Sequence, residues 1–80
     1  MPRILVTGAT GCTGRGVLHY LVSKGYDYIF GMVRRDPPEK VPTVNYVIGD
    51  LTDKASIHKI LKENEIDSIW HIGAAVHRHV

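Results

Sequence analysis

The stretch Ile4-Leu5-Val6-Thr7-Gly8-Ala9-Thr10-Gly11-Cys12-Thr13-Gly14 decides how this chain is read. Ile4-Leu5-Val6 is a short, continuous apolar run, as in a parallel strand buried on both faces. Gly8, Gly11 and Gly14 follow at three-residue intervals. Val17, Leu18, Leu21 and Val22 then recur at helical spacing, which predicts a helix from about residue 13 to Lys24. Gly25 stops it as a glycine just past a helix end does. Strand, glycine turn and helix in that order are the context of a phosphate cradle, the alternative being a tight structural turn with no ligand. One glycine permits the sharp turn, one clears the backbone for a pyrophosphate, and one lets helix and strand pack closely. Free N–H groups at the helix start then face the phosphate charge. A Gly-Lys-Ser/Thr ending is missing, which excludes an ATP loop of the Walker type.

Working outward, Tyr28 to Val33 reads as a second strand. Arg34 to Thr43 holds Pro37, Pro38 and Pro42, so it reads as a loop. Val44 to Ile48 is a third strand, and Gly49-Asp50-Leu51 turns out of it. Thr52 or Asp53 can cap a second helix with the stripe Ile57, Ile60 and Leu61. Asp67 to Gly73 is a fourth strand. The alternation β-α-β-loop-β-α-β implies a parallel sheet with one helix on each face. The expected strand order is 3-2-1-4, the first half of a doubly wound, Rossmann-like α/β fold. Its fourth strand would form an exposed edge, prone to aggregation, with His77-Arg78-His79 starting a further helix.

Composition narrows the function. The chain has 80 residues and a formal charge of +2. That is a single domain, residues 1–80, too weakly charged to argue for nucleic acid or a membrane surface. No apolar run approaches the ~20 residues of a membrane span, and no signal peptide opens the chain. Cys12 stands alone, so no internal disulfide is available, and a reducing cytoplasm is the expected compartment. A parallel sheet that ends soon after a buried-type strand reads as the start of a longer chain, or as a protomer completed by a partner.

Three motifs give this chain a family resemblance. Thr7-Gly8-Ala9-Thr10-Gly11-Cys12-Thr13-Gly14 resembles the TGxxGxxG loop of the extended short-chain dehydrogenase/reductase family, NAD-dependent epimerase/dehydratase type. Gly49-Asp50-Leu51 resembles its turn after the third strand, and His71-Ile72-Gly73-Ala74-Ala75 its H-x-A-A stretch, with Gly73 in place of the usual alanine. The resemblance implies a nicotinamide dinucleotide cofactor and a reductase, epimerase or dehydratase acting by hydride transfer. It places Gly8, Gly11 and Gly14 at the pyrophosphate and has Thr10, Cys12 and Thr13 line the loop. Asp50 and Leu51 would flank adenine, with Gly73, Ala74 and Ala75 along the cofactor.

The end of the second strand bears on NADP against NAD. An acid about 20 residues past the glycines serves the 2′-hydroxyl of NAD, whereas arginine accommodates the 2′-phosphate of NADP. Arg34 and Arg35 stand there and favour NADP; Asp36 keeps NAD open. The Val-Arg-x-Asp-Pro stretch is similar to carbonyl reductases of the dihydroflavonol type. Glu65 to His71 is more similar to sugar epimerases and threonine dehydrogenase, so the substrate stays open.

The family's catalytic tyrosine, its lysine four residues on and a serine or threonine are expected beyond Val80. Tyr20 and Lys24 share that spacing but lie down the flank of the first helix, so they read as helix surface. No catalytic or metal-ligating residue is assigned. His71, His77 and His79 could supply imidazoles for a zinc site but lack an evident further ligand. Cys12 reads either as a thiolate stabilised at a helix start or as a small residue tolerated there. The rival functions are a dinucleotide sensor without catalysis and an inactive fragment; a homo-oligomer is also open.

Overall fold

In the computed structural model, residues 2–9, 12–35, 40–50, 52–71 and 76–79 are described, Cys12 and 76–79 as backbone. The elements are β1 (Arg3–Thr7), α1 (Cys12–Ser23), β2 (Tyr28–Val33), β3 (Asn45–Ile48), α2 (Lys54–Glu63), β4 (Ser68–His71) and β5 (Val76–His79). Four strands run parallel in the order β3-β2-β1-β4, as the element pattern implies. Val6 pairs with Gly31 on one side and with Trp70 on the other, so β1 is the central strand.

Side chains alternate across β1 and divide the core. Ile4 and Val6 join Ile29, Val33, Leu18 and Leu21 on the α1 face. Leu5 joins Phe30, Met32, Ile69 and Ile60 on the α2 face. Successive strand residues point to opposite faces, so a strand apolar at every position must be covered on both. Leu5, Leu18 and Leu21 are fully buried. Each such side chain contributes about 1.5–3 kcal/mol through burial.

Local chemistry sets the element ends. Gly25, at φ 84°, takes the left-handed conformation that ends α1, and Tyr26 N–H reaches back to the Leu21 carbonyl at 3.3 Å. Glu65, at φ 52°, plays the same part after α2, with Ile66 N–H on the Leu61 carbonyl at 3.1 Å. At the amino edge of the sheet, Arg3 N–H donates to the Asp67 carboxylate at 2.9 Å, and Asp67 N–H donates to the Arg3 carbonyl at 2.8 Å. The Arg3 guanidinium donates to the Asn64 carbonyl at 2.6 Å and stacks over Tyr28 and Phe30 at 4.7 and 5.3 Å. Asn64 and Asp67 therefore clamp the approach to β4 onto the start of β1.

Two expectations need correction. β4 is not a bare edge, because β5 pairs with it antiparallel, Trp70 opposite His77. Residues 77–79 accordingly form a strand and not a helix start. The physical reason lies in the backbone: the outward N–H and C=O groups of β4 need partners, and a returning strand supplies them.

Candidate functional site at the carboxyl edge of the sheet

Parallel strands end together, so the segments after β1, β2, β3 and β4 share one edge. In strand order that edge carries Asp50 after β3, Arg34 after β2, the Gly8 turn after β1 and His71 at the end of β4. At about 4.8 Å per strand the row spans roughly 14 Å. Clefts at this edge are where open α/β sheets bind ligands.

Two glycines explain the turn between β1 and α1. Gly8 has φ 69°, the left-handed region that side chains disfavour, so the chain breaks sharply out of β1. Gly14 is buried in the first turn of α1. A Cβ there would overlap the Gly8 carbonyl oxygen and crowd the Ala9 Cα at 3.0 Å. The helix therefore begins pressed against the turn that precedes it. Thr13 is exposed beside Gly14. The first acidic residue in the chain is Asp27, so no carboxylate from residues 1–26 competes for the positive end of α1.

The second strand-to-helix turn is built differently. Gly49 N–H donates to the Val33 carbonyl at 2.8 Å and extends the ladder past β3. Asp50 Oδ1 accepts from Thr52 N–H at 2.9 Å and from the Thr52 hydroxyl at 2.8 Å. Asp53 Oδ1 accepts from Ala55 N–H at 3.1 Å and Ser56 N–H at 3.3 Å, capping α2. Asp53 is thus the cap, and Thr52 serves Asp50. The Asp50 carboxyl is held below the usual aspartate range, first by the Thr52 N–H, then by the Thr52 hydroxyl. A smaller contribution comes from Arg34, and partial burial works against all three.

Arg34 and Arg35 are both exposed just past β2. Arg34 Nη2 lies 3.9 Å from Asp50 Oδ1. At the other end of the row, the buried Thr7 hydroxyl donates to the Trp70 carbonyl at 3.4 Å and lies 3.2 Å from His71 Nδ1. Thr7 is 1% exposed. The pair joins the two central strands where they open into their loops. Sequence reasoning did not single out this contact, though Thr7 and His71 fall within two of the motifs.

The structure thus brings Gly8, Thr13, Gly14, Arg34, Arg35 and Asp50 to one edge. Cys12 begins α1 there as backbone. Thr10, Gly11, Leu51, Gly73, Ala74 and Ala75 lie outside the described residues, as does Asp36. Tyr20 and Lys24 are placed elsewhere. Tyr20 is 52% exposed, and the Lys24 ammonium sits 5.5 Å from its ring. Tyr20 lies about 12 Å along the helix axis from the start of α1. Among the described residues, no helix is long and apolar enough to cross a membrane.

The sheet order, the sharp turn at Gly8 and the close approach at Gly14 define a Rossmann-like α/β domain. The described residues fit a pyrophosphate, since Gly8 is exposed at the end of β1 and no carboxylate occurs in residues 1–26. The chain belongs to the NAD dependent epimerase/dehydratase family, whose model matches residues 4–80. It is 33% identical to the GDP-mannose 4,6-dehydratase of Yersinia enterocolitica, an alignment covering 96% of this chain and 24% of that protein. The L-threonine dehydrogenase of Clostridium difficile superposes with a TM-score of 0.76 at 30% identity, over 89% of this chain and 23% of that one. A mutant uronate dehydrogenase from Agrobacterium tumefaciens, complexed with NAD, gives 0.72 at 26% identity, over 90% and 26%. The chain therefore spans about a quarter of the length of the relatives it matches. The family and the NAD complex point to a nicotinamide dinucleotide as the cofactor of this fold.

Proposed function

We propose that residues 1–80 hold the cofactor of an NADP-dependent enzyme of the epimerase, dehydratase or dehydrogenase type. The carrying observation is the β1–α1 turn, where Gly14 packs against the Gly8 carbonyl at a helix start free of carboxylates. In this reading the pyrophosphate lies over Gly8, Gly11 and Gly14, lined by Thr10, Cys12 and Thr13. The adenine end lies toward β2 and β3, between Arg34, Arg35, Asp50 and Leu51. The nicotinamide end runs toward β4 past Gly73, Ala74 and Ala75. When bound, such a cofactor supplies reversible hydride transfer to a substrate carbon.

NADP is favoured because two guanidinium groups stand exposed just past β2, where a ribose 2′-phosphate would lie. Planar guanidinium suits a phosphate through paired N–H donors, and a 2′-hydroxyl offers it far less. The similarity to GDP-mannose 4,6-dehydratase favours a nucleotide sugar as substrate. The acid/base residues are then supplied from outside residues 1–80, since Tyr20 and Lys24 lie down the flank of α1.

The test is cofactor titration of the full-length protein. Arg34→Ala should weaken NADPH by about tenfold, the scale of a charge-assisted contact, and NADH much less. Equal losses for the two cofactors would refute the 2′-phosphate role. Turnover of GDP-mannose with NADP present would support the substrate reading. Oxidation of L-threonine in its place would overturn it.

A further inference from the structure

Arg34 and Asp50 differ in how firmly each is held. Asp50 follows Gly49, whose N–H is bonded to the Val33 carbonyl at 2.8 Å, so its backbone is tied to the end of β2. Its Oδ1 then takes both Thr52 donors, at 2.9 and 2.8 Å. The carboxylate is fixed. Arg34 is a long side chain, 79% exposed, and its Nη2 reaches the same oxygen at 3.9 Å. The guanidinium is therefore the partner that can swing, whereas the anion waits in place.

A fixed carboxylate beside the arginine has an asymmetric consequence. A phosphate that approaches Arg34 must draw it from Asp50, and it also meets the negative charge of Asp50. A phosphate monoester carries about −1.5 to −2 charges near neutrality, so both effects oppose it. A ribose hydroxyl has no charge and is hardly affected.

We propose that Asp50 is a cofactor-selectivity residue, whose carboxylate competes for Arg34 and so holds the preference for NADP over NAD below what Arg34 alone would give. The inference rests on the NADP reading above. Its size is bounded by the geometry, since an exposed pair at this separation is weak and screened by salt. Asp50 is charged at neutral pH as an ordinary aspartate is, and its carboxyl is held lower still, chiefly by the Thr52 N–H and hydroxyl, with a smaller contribution from Arg34.

Asp50→Asn tests this cleanly. The amide keeps Oδ1 as acceptor for both Thr52 donors, so the turn persists and only the charge is removed. The experiment measures NADPH and NADH affinities for the full-length protein, Asp50→Asn, Arg34→Ala and the double variant. Any change in an adenine contact acts on both cofactors and cancels in their ratio. The ratio should rise about two- to fivefold in Asp50→Asn, the scale of an exposed ion pair, and the rise should be smaller when Arg34 is alanine, where only direct repulsion remains. If Arg34→Ala lowers the ratio but Asp50→Asn leaves it unchanged or lower, the competition is refuted and the NADP reading stands. An equal rise with and without Arg34 would mean direct repulsion of the phosphate, which also refutes competition. If Arg34→Ala leaves the ratio unchanged, the NADP reading falls and this inference falls with it.

Discussion

The two strand-to-helix turns at the carboxyl edge solve the same problem in opposite ways. After β3, the chain closes on itself. Asp50 binds Thr52, and Asp53 satisfies two N–H groups of α2. After β1, no acidic residue is present to do this, because the first one in the chain is Asp27. Glycines also differ between the two. A Cβ on Gly14 would strike the Gly8 carbonyl, which is backbone. A Cβ on Gly49 would meet the Ile60 Cδ1 at 2.5 Å and the Met32 Sδ at 2.9 Å, both at or near the ends of flexible side chains. One turn packs glycine on backbone and has no acidic residue to cap its helix, whereas the other is self-capped. A helix start with its own carboxylate has little need of a ligand; one without gains from a bound phosphate.

The largest expected effect separates the glycines. Gly14→Ala should destabilise the protein by about 3 kcal/mol or more, because backbone cannot yield as a side chain can. Gly49→Ala should cost about 1 kcal/mol, absorbed by rotation of Ile60 and Met32. Gly16→Ala, two residues along the same helix, has nothing within 4 Å of its Cβ. It should stabilise by about 0.5–1 kcal/mol, as alanine does over glycine inside a helix. Urea midpoints of the three variants decide the order. Equal costs at residues 14 and 49 would break the distinction between them.

A smaller effect probes the cap. Asp53→Ala should cost about 1 kcal/mol of stability and leave dinucleotide affinity unchanged. A cofactor defect in that variant would show that the second turn serves the ligand as well.

The finest effect concerns Asp50. Its folded pKa is lowered, so its contribution to stability is whole above the ordinary aspartate value of about 3.9 and is lost as pH falls through the lower folded value. Thr52→Ala removes the hydroxyl but keeps the N–H, which is the larger cause. Carboxyl NMR titration should then show Asp50 moved part of the way back up. No movement would mean that the hydroxyl contributes nothing.

Much of this architecture was legible because its causes are local. The triple-apolar run of β1, the glycine spacing and the helical stripe each identify one element, and their order implies the sheet. The α1 stop at Gly25 and the choice of Asp53 or Thr52 as cap follow from side-chain chemistry close in sequence. β5 was missed because nothing in Val76–His79 distinguishes a strand from a helix start. Its pairing depends on the open edge of β4, which is a tertiary fact. The Thr7–His71 and Arg34–Asp50 contacts were missed for a related reason. Register across neighbouring strands brings these residues together, and a residue's own neighbours in sequence carry no record of register.

The open turn is tested most directly by backbone amide shifts in the full-length protein as NADP is added. Binding should move the amides of Gly8 to Gly14 and the first turn of α1 most, and leave Ala55 and Ser56 at the start of α2 nearly unchanged. Saturable binding with the β1–α1 amides unmoved would contradict the account, because the phosphates would then sit somewhere other than the β1–α1 turn.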